Sequence, residues 1–284
     1  MFVQVLNGLA FGVLLLVLSS GLALIFGLRG VVNFAHGAIY MLAAYLALTI
    51  SEHTSFWVAL VVAPLGLAAI GVAVDRLGLR HLVGRSPLDM VLLTFGITFI
   101  IADVVQSVWG TQARTVDPPA ALSGTAHLPG ASYPSYRLFV IAVGLVMCIA
   151  LIAWLRRSRT GLYVRASSAD RTTTAAMGVD VDRVSAVVVA LGFGLAGLAG
   201  VLAGPYLTLS PTMGTEILVM TFIVVVVGGL GSIGGPMVIA LVIGLANAVT
   251  AVHAPRISAY IPYLLMLVVL LLRPQGIAGK RTAI

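Results

Sequence analysis

The sequence predicts an all-α protein, a polytopic integral membrane helical bundle of about eight or nine spans with broken or re-entrant segments. Three observations carry this. Hydrophobic residues fill 60% of 284 positions and charged residues only 9%, with a mean hydropathy of +1.13, which is more apolar surface than one water-exposed fold can hide. The apolar residues come in repeated runs near the roughly 20 residues that a helix needs to cross a hydrocarbon core of about 30 Å. These runs are also apolar on every side, as in LLMLVVLLL at 264–272. A transmembrane barrel would alternate apolar and polar positions.

Nine apolar segments follow one another, at about 5–28, 34–50, 56–74, 88–109, 137–155, 184–206, 216–233, 236–252 and 259–273. The first has no basic residue ahead of it, Arg29 being the earliest in the chain, so it reads as a retained span and not a cleavable signal. Between the first and second lies RGVVNFAHGAIY, Arg29 to Tyr40. Glycines and an asparagine at membrane depth free backbone groups, which is tolerated only where they face protein or a water-filled cavity. A broken span beside a cavity is a common way to build a substrate path. Asn33, His36 and Gly37 are therefore candidate pathway residues, against the plainer reading that they sit at a cytoplasmic helix start, capping it or wetted by water.

In the fourth segment Gly96, Asp103 and Ser107 recur at seven and four residues, one narrow stripe of a helix. An acid in a span usually faces the bundle interior, so Gly96 and Asp103 join the candidate pathway. A solvated external rim is the alternative for Asp103, as it is for Glu216 at the start of segment seven. Segment six carries Gly192, Ala196, Gly200 and Gly204 at spacings of four. Small residues so spaced let helix backbones approach closely in lipid, and this segment reads as a packing helix. GGLGSIGGP, Gly228 to Pro236, breaks the late apolar run as the earlier stretch breaks the first. The shared order of apolar run, glycine-rich break and apolar run hints at an internal repeat with a transport site between the halves.

Alternation of the segments sorts the basic residues. One side receives Arg29, Arg76, Arg80, Arg85, Arg156, Arg157, Arg159, Arg165, Arg171, Arg183, Arg273, Lys280 and Arg281; the other receives Arg114, Arg137 and Arg256. The positive-inside rule places the first set, and the C-terminus with it, in the cytoplasm. The external stretch 110–136 contains four prolines and is expected to lack regular structure. The cytoplasmic loop 156–183 differs. Ser167-x-x-Asp170 can cap a helix start and Gly178 suits the position that ends one, so a short helix is expected between them. The chain is otherwise expected to form a single transmembrane domain over residues 1–284.

Several classes are excluded by what the chain lacks. The basic balance follows from loop arginines and is a topology signal, so no nucleic-acid partner is expected. The one cysteine, Cys148, lies in an apolar run and offers no disulfide or metal framework. Histidines 36, 53, 81, 127 and 253 are dispersed, without the spacing of a metal site or a triad, so neither a resident metal nor a catalytic residue is expected. GGLGSIGGP lacks the lysine of a P-loop, so energy for active transport must come from another chain or an ion gradient. A gradient-driven transporter or channel would need an ionisable site deep in the membrane, and the acids found near the spans are Asp103 and Glu216.

Three ordered motifs, GLALIFGLRGVVNFAHGAIYMLAAYLA, RASSADRTTTAAMGVDVDRV, and PTMG followed by VVVVGGLGSIGGP, closely resemble the inner-membrane permease subunits of high-affinity branched-chain amino acid ABC transporters. The resemblance runs from about Val5 to Arg273. It implies that Ala169, Asp170, Arg171, Met177 and Gly178 belong to a coupling helix docking in a groove of the ATPase subunit. It also implies partners: two cytoplasmic ATPase subunits that bind ATP and Mg, a second permease of the same superfamily, an extracytoplasmic substrate-binding protein and the surrounding membrane lipid. Two positions depart from the amino-acid members. Met220 stands where many carry a lysine, and Asn247 where many carry a glutamate; the related urea and amide permeases often lack that lysine and carry a VVVVGG run.

Overall fold

The computed structural model describes residues 1–128 and 131–279; Lys280 and Arg281, expected on the cytoplasmic side, lie outside them. The helices are α1 (Phe2–Arg29), α2 (Ala35–His53), α3 (Phe56–Leu77), α4 (Pro87–Trp109), α5 (Ser135–Arg157), α6 (Arg159–Ala169), α7 (Arg171–Ala176), α8 (Val181–Ala203), α9 (Met213–Gly228), α10 (Gly234–His253), α11 (Pro255–Ser258) and α12 (Ile261–Leu272). Among the described residues six helical stretches are long and apolar enough to cross a membrane: Phe2–Arg29, Phe56–Leu82, Pro87–Trp109, Ser135–Arg157, Val181–Ala203 and Gly234–His253. Helices α9 and α12 are apolar but shorter. Each of the nine apolar segments read from the sequence coincides with one helix, and the protein is an all-α membrane protein.

Helices α1 and α8 form the centre. Both are buried along most of their length, α1 packing on α8, α10 and α5, and α8 also on α3 and α2. An apolar helix in lipid gains little from burying more hydrocarbon, so close backbone approach has to hold such a pair together. Gly200 shows how: a Cβ there would sit 2.7 Å from Ala43 Cβ on α2, a separation only glycine permits. Segment six is thus the packing helix its spacing predicts.

Local signals set several helix starts. Ser55 Oγ accepts from the Val58 amide to open α3, and Ser86 Oγ from the Leu88 amide to open α4, whose first residue is Pro87. The expectation of an irregular 110–136 stretch is corrected. It contains a 3-10 turn at Ala120–Leu122 and an antiparallel pair, β1 (Thr125–Leu128) and β2 (Ala131–Pro134). Tyr133 explains the pair: it is fully buried, and its hydroxyl donates to Asn7 Oδ1 at 3.1 Å. One large buried aromatic outweighs the loop character that prolines give the composition.

The second glycine-rich break is also accounted for. Helix α9 ends at Gly228 and α10 begins at Gly234, with Gly229 and Gly231 at φ 104° and 83°. The carbonyls left open at the end of α9 are taken up from further along the chain: the Ile277 amide donates to Val227 O at 2.9 Å and the Ala278 amide to Gly228 O at 3.1 Å. A helix end inside a bundle needs such partners.

Candidate pathway and coupling sites

The first break is built from α1 outward. Gly30 takes the left-handed conformation, φ 68°, and stops α1. Asn33, only 3% exposed, turns its Oδ1 onto the Ala35 amide at 3.1 Å and so opens α2. His36 is fully buried, with Nε2 2.9 Å from the carbonyl oxygen of Leu18. A carbonyl only accepts, so Nε2 carries the ring proton and Nδ1 faces the interior without a partner. Leu18 precedes Arg29 by eleven residues, about 16 Å along a helix rising ~1.5 Å per residue. Helix α2 therefore starts against the middle of α1: Asn33 caps it, as the plainer reading expects, but the turn is buried and not wetted.

Gly37 lies in the same turn. A Cβ on it would meet the Gly214 carbonyl and come within 2.8 Å of Leu218 Cβ, while one on Gly214 would lie 2.8 Å from the Gly37 oxygen. The first turns of α2 and α9 thus meet backbone to backbone. Asn33, His36 and Gly37 form one buried group at this junction.

Gly96 and Asp103 are not part of it. Both lie, with Ser107, on the exposed face of α4, and nothing stands within 4 Å of a Cβ built on Gly96. The expectation that an acid in a span turns inward fails for Asp103 because α4 buries another arc, through Met90, Thr94 and Val105. Phe34 stacks on Phe95 of α4 with centroids 4.3 Å apart.

The sequence reading missed Asp75. The third apolar run stops at about residue 74, yet α3 continues to Leu77 and Asp75 is 1% exposed. It pairs with Arg29 and accepts from Ser185 Oγ at 3.0 Å, while Arg29 also donates to the Leu79 carbonyl at 3.3 Å. A buried acid survives when paired and hydrogen-bonded, and this one joins the ends of α1, α3 and α8. An acid just past an apolar run, with an arginine at the end of another run on the same side, was the available signal.

In the loop 156–183 the short helix begins later than expected. Ser158 Oγ accepts from the Gly161 amide and opens α6, which contains Ser167; Asp170, not Ser167, caps the next helix. Ser167 is buried within α6, so its hydroxyl has no free helix start to reach. Asp170 Oδ1 accepts from the Thr173 amide at 3.0 Å. The Thr173 hydroxyl, together with that amide, holds the Asp170 carboxyl below the usual carboxylate range. Gly178 ends the element at φ 84°, its amide donating to Ala175 O at 2.9 Å, and Met177 stands 80% exposed beside it. Arg171 reaches Asp182 at 3.1 Å, and Arg80 reaches the other oxygen of Asp182 at 3.3 Å. Helix α7 is thereby tied to the first turn of α8, one turn from the Ser185 to Asp75 contact.

This architecture of apolar helices with a capped, surface-borne helix in an intervening loop is matched in sequence. The family described as "Branched-chain amino acid transport system / permease component" matches residues 4–270, and the chain belongs to that family. It is similar to the high-affinity branched-chain amino acid transport system permease protein LivH of Salmonella typhimurium and of Escherichia coli K12, with 27% identity, 98% of this chain and 95% of the relative covered in each case. BraD of Pseudomonas aeruginosa, another high-affinity branched-chain amino acid transport system permease protein, shows the same identity and coverage. The protein is a permease subunit of the ABC importer class, a transport component and not an enzyme. A permease of this class works with ATPase and substrate-binding partners.

Proposed function

We propose that the chain forms, with a second permease of its superfamily, the translocation path of an ATP-driven importer in a bacterial-type inner membrane. The cargo is a branched-chain amino acid or a related small polar solute, such as urea or a short amide. A single transmembrane domain of eight or nine spans, with its C-terminus in the cytoplasm, lines the path. Two cytoplasmic ATPase subunits bind ATP and Mg, and an extracytoplasmic protein delivers the solute. The reading rests on one observation, the rigid α7 element. Asp170 starts it, Gly178 ends it, Met177 stands free, and Arg171 fastens it to α8 through Asp182. A motion of α7 reaches α8 through that ion pair, and Ser185 with Asp75 continues it to Arg29 at the break holding Asn33, His36 and Gly37. Ala169 to Gly178 then couples, the break and the exposed Gly96 and Asp103 stripe serve the path, and no step is chemical.

Asn247 lines an open cavity of about 220 Å³ with Asn7, Tyr206, Phe11, Gly244 and Ala248, and the Arg137 guanidinium, which donates to Asn7 Oδ1 and lies 5.1 Å from the Tyr206 ring, sets a cation beside it. The test is uptake into proteoliposomes holding the permease with its ATPase and binding-protein partners. Labelled leucine or urea should accumulate only with ATP inside the compartment where the ATPases lie. Accumulation without ATP, driven by an imposed ion gradient, would overturn the reading.

A further inference from the structure

The loop 156–183 is divided by charge in a way the coupling role does not use. Residues 156–169 hold Arg156, Arg157, Arg159 and Arg165 and no acid, whereas 170–183 holds Asp170, Asp180 and Asp182 against Arg171 and Arg183. In that second half each acid is engaged: Asp170 by Thr173, Asp180 by Arg183 at 2.8 Å, and Asp182 by Arg80 and Arg171. Among the described residues none of the four arginines of the first half forms an ion pair, and all four are exposed.

Their position follows from the helices that carry them. The outward stripe of α5 runs through Leu145, Val146 and Ile149, which are 40%, 63% and 67% exposed. Arg156 and Arg157 continue that stripe at helical spacing. Hydrocarbon-facing side chains thus give way to two cations within two turns, where a bilayer's acyl region ends. Only Ser158 separates α5 from α6. Helix α6 buries Gly161, Val164 and Ser167 against the bundle and leaves Leu162 and Tyr163 outward, 53% and 40% exposed, between Arg159 and Arg165. An outward apolar pair flanked by arginines suits the boundary between headgroups and acyl chains. Beside it, Thr160 and Tyr163 of α6 with Arg183 and Val187 of α8 line a groove of about 410 Å³.

We infer that the α5 to α6 elbow binds anionic phospholipid headgroups of the cytoplasmic leaflet through Arg156, Arg157, Arg159 and Arg165. This rests on the cytoplasmic placement of the loop in the reading above. Leu162 and Tyr163 enter the acyl boundary, and the guanidinium groups meet phosphate oxygens, to which arginine donates in pairs. The bound headgroups hold α6, and through it the start of α7, at a fixed height on the membrane. Attraction of a basic residue to an anionic leaflet corresponds to about fivefold in affinity per arginine near the surface.

The full-length chain, in complex with its ATPase partners, is extracted in mild detergent, and the phosphatidylglycerol and phosphatidylcholine it retains are counted by native mass spectrometry. The unaltered chain should retain phosphatidylglycerol preferentially. Joint Arg156→Gln, Arg157→Gln, Arg159→Gln and Arg165→Gln substitution should cut that preference by about tenfold or more, since several such contributions are removed together. The four corresponding lysine substitutions should keep most of it, because the attraction is to charge, and they show that the site tolerates substitution. No preference in the unaltered chain, or an undiminished one in the glutamine variant, would overturn the inference. So would loss of the ATPase partners from the glutamine variant in phosphatidylcholine alone, which would make this face a protein interface. Labelling of a cysteine placed in the loop reports separately whether the loop is cytoplasmic.

Discussion

Ser185 of α8 donates to the carboxylate of Asp75 on α3 at 3.0 Å, at the same carboxylate that pairs with Arg29 of α1. Three helices converge on one buried acid, and Ser185 stands three residues along α8 from Asp182, the aspartate that holds α7.

Removing Asp75 strands a buried cation. Asp75→Ala should destabilise the permease by about 3–5 kcal/mol, the usual cost of breaking a buried pair, while the double change Arg29→Met with Asp75→Leu should recover most of it. Thermal unfolding of the purified chain in detergent distinguishes them. A single variant as stable as the double would show that the pair contributes nothing.

Gly37 has no room for even a methyl group against Gly214 and Leu218. Gly37→Ala should lower stability by about 1–3 kcal/mol, the range for overpacking, and Gly37→Leu should part α2 from α9 and abolish uptake. Normal uptake by Gly37→Leu would remove this junction from the path.

Gly178 has space around it, so its requirement is conformational: φ 84° with nothing within 4 Å of a built Cβ. Gly178→Val should cost about 1–2 kcal/mol of left-handed strain and weaken ATPase co-purification or uncouple hydrolysis from uptake. Gly178→Asn, which tolerates that conformation, should behave nearly normally. If the valine variant and a double Asp170→Ala, Arg171→Ala variant both retain ATPase and coupling, α7 is not the coupling element.

The Asp170 cap is insensitive to pH in the neutral range. Its folded-state value lies below the ordinary one, so its stabilisation is complete above about pH 3.9 and is lost only as pH falls through the folded value. ATPase co-purification should therefore stay level between about pH 5 and 8, well above that titration. A steep loss in that window would assign the contact to another group.

Orientation is read by cysteine labelling in a chain whose Cys148 has been replaced. Ala121 and Thr173 are both exposed on the isolated chain, so a difference reports the side of the membrane. An impermeant reagent outside should modify a cysteine at Ala121 and spare one at Thr173; the reverse would invert the topology.

The helices were legible in the sequence because apolar runs of membrane length leave the backbone one solution. Gly178 was legible too, since a glycine after a short polar helical stretch has few other uses. What escaped depends on partners distant in the chain. Asp75 lies just past the third apolar run, and only Arg29 and Ser185, distant in the chain, make it a buried junction; Ser167 has the spacing of a cap, but α6 runs through it. Tyr133 could order a proline-rich stretch only because Asn7 lies across from it, more than a hundred residues away. Gly96 and Asp103 share a stripe, as their spacing requires, but spacing cannot say which way a stripe faces.

The amides of Ile277 and Ala278 complete the end of α9 at Val227 and Gly228, and this has a consequence for how the protein is made. A ribosome delivers α9 about fifty residues before those amides exist. During that interval two carbonyls at a break between apolar helices are without their eventual donors, at a cost of several kcal/mol each if they face lipid. The membrane-insertion machinery, or water at its flank, must shelter them until synthesis has passed α12. Closure of this corner therefore waits until Ile277 and Ala278 have been made, even where the other helices insert in order, and a chain truncated after Arg273 should be cleared by quality-control proteases faster than one truncated after Gly279.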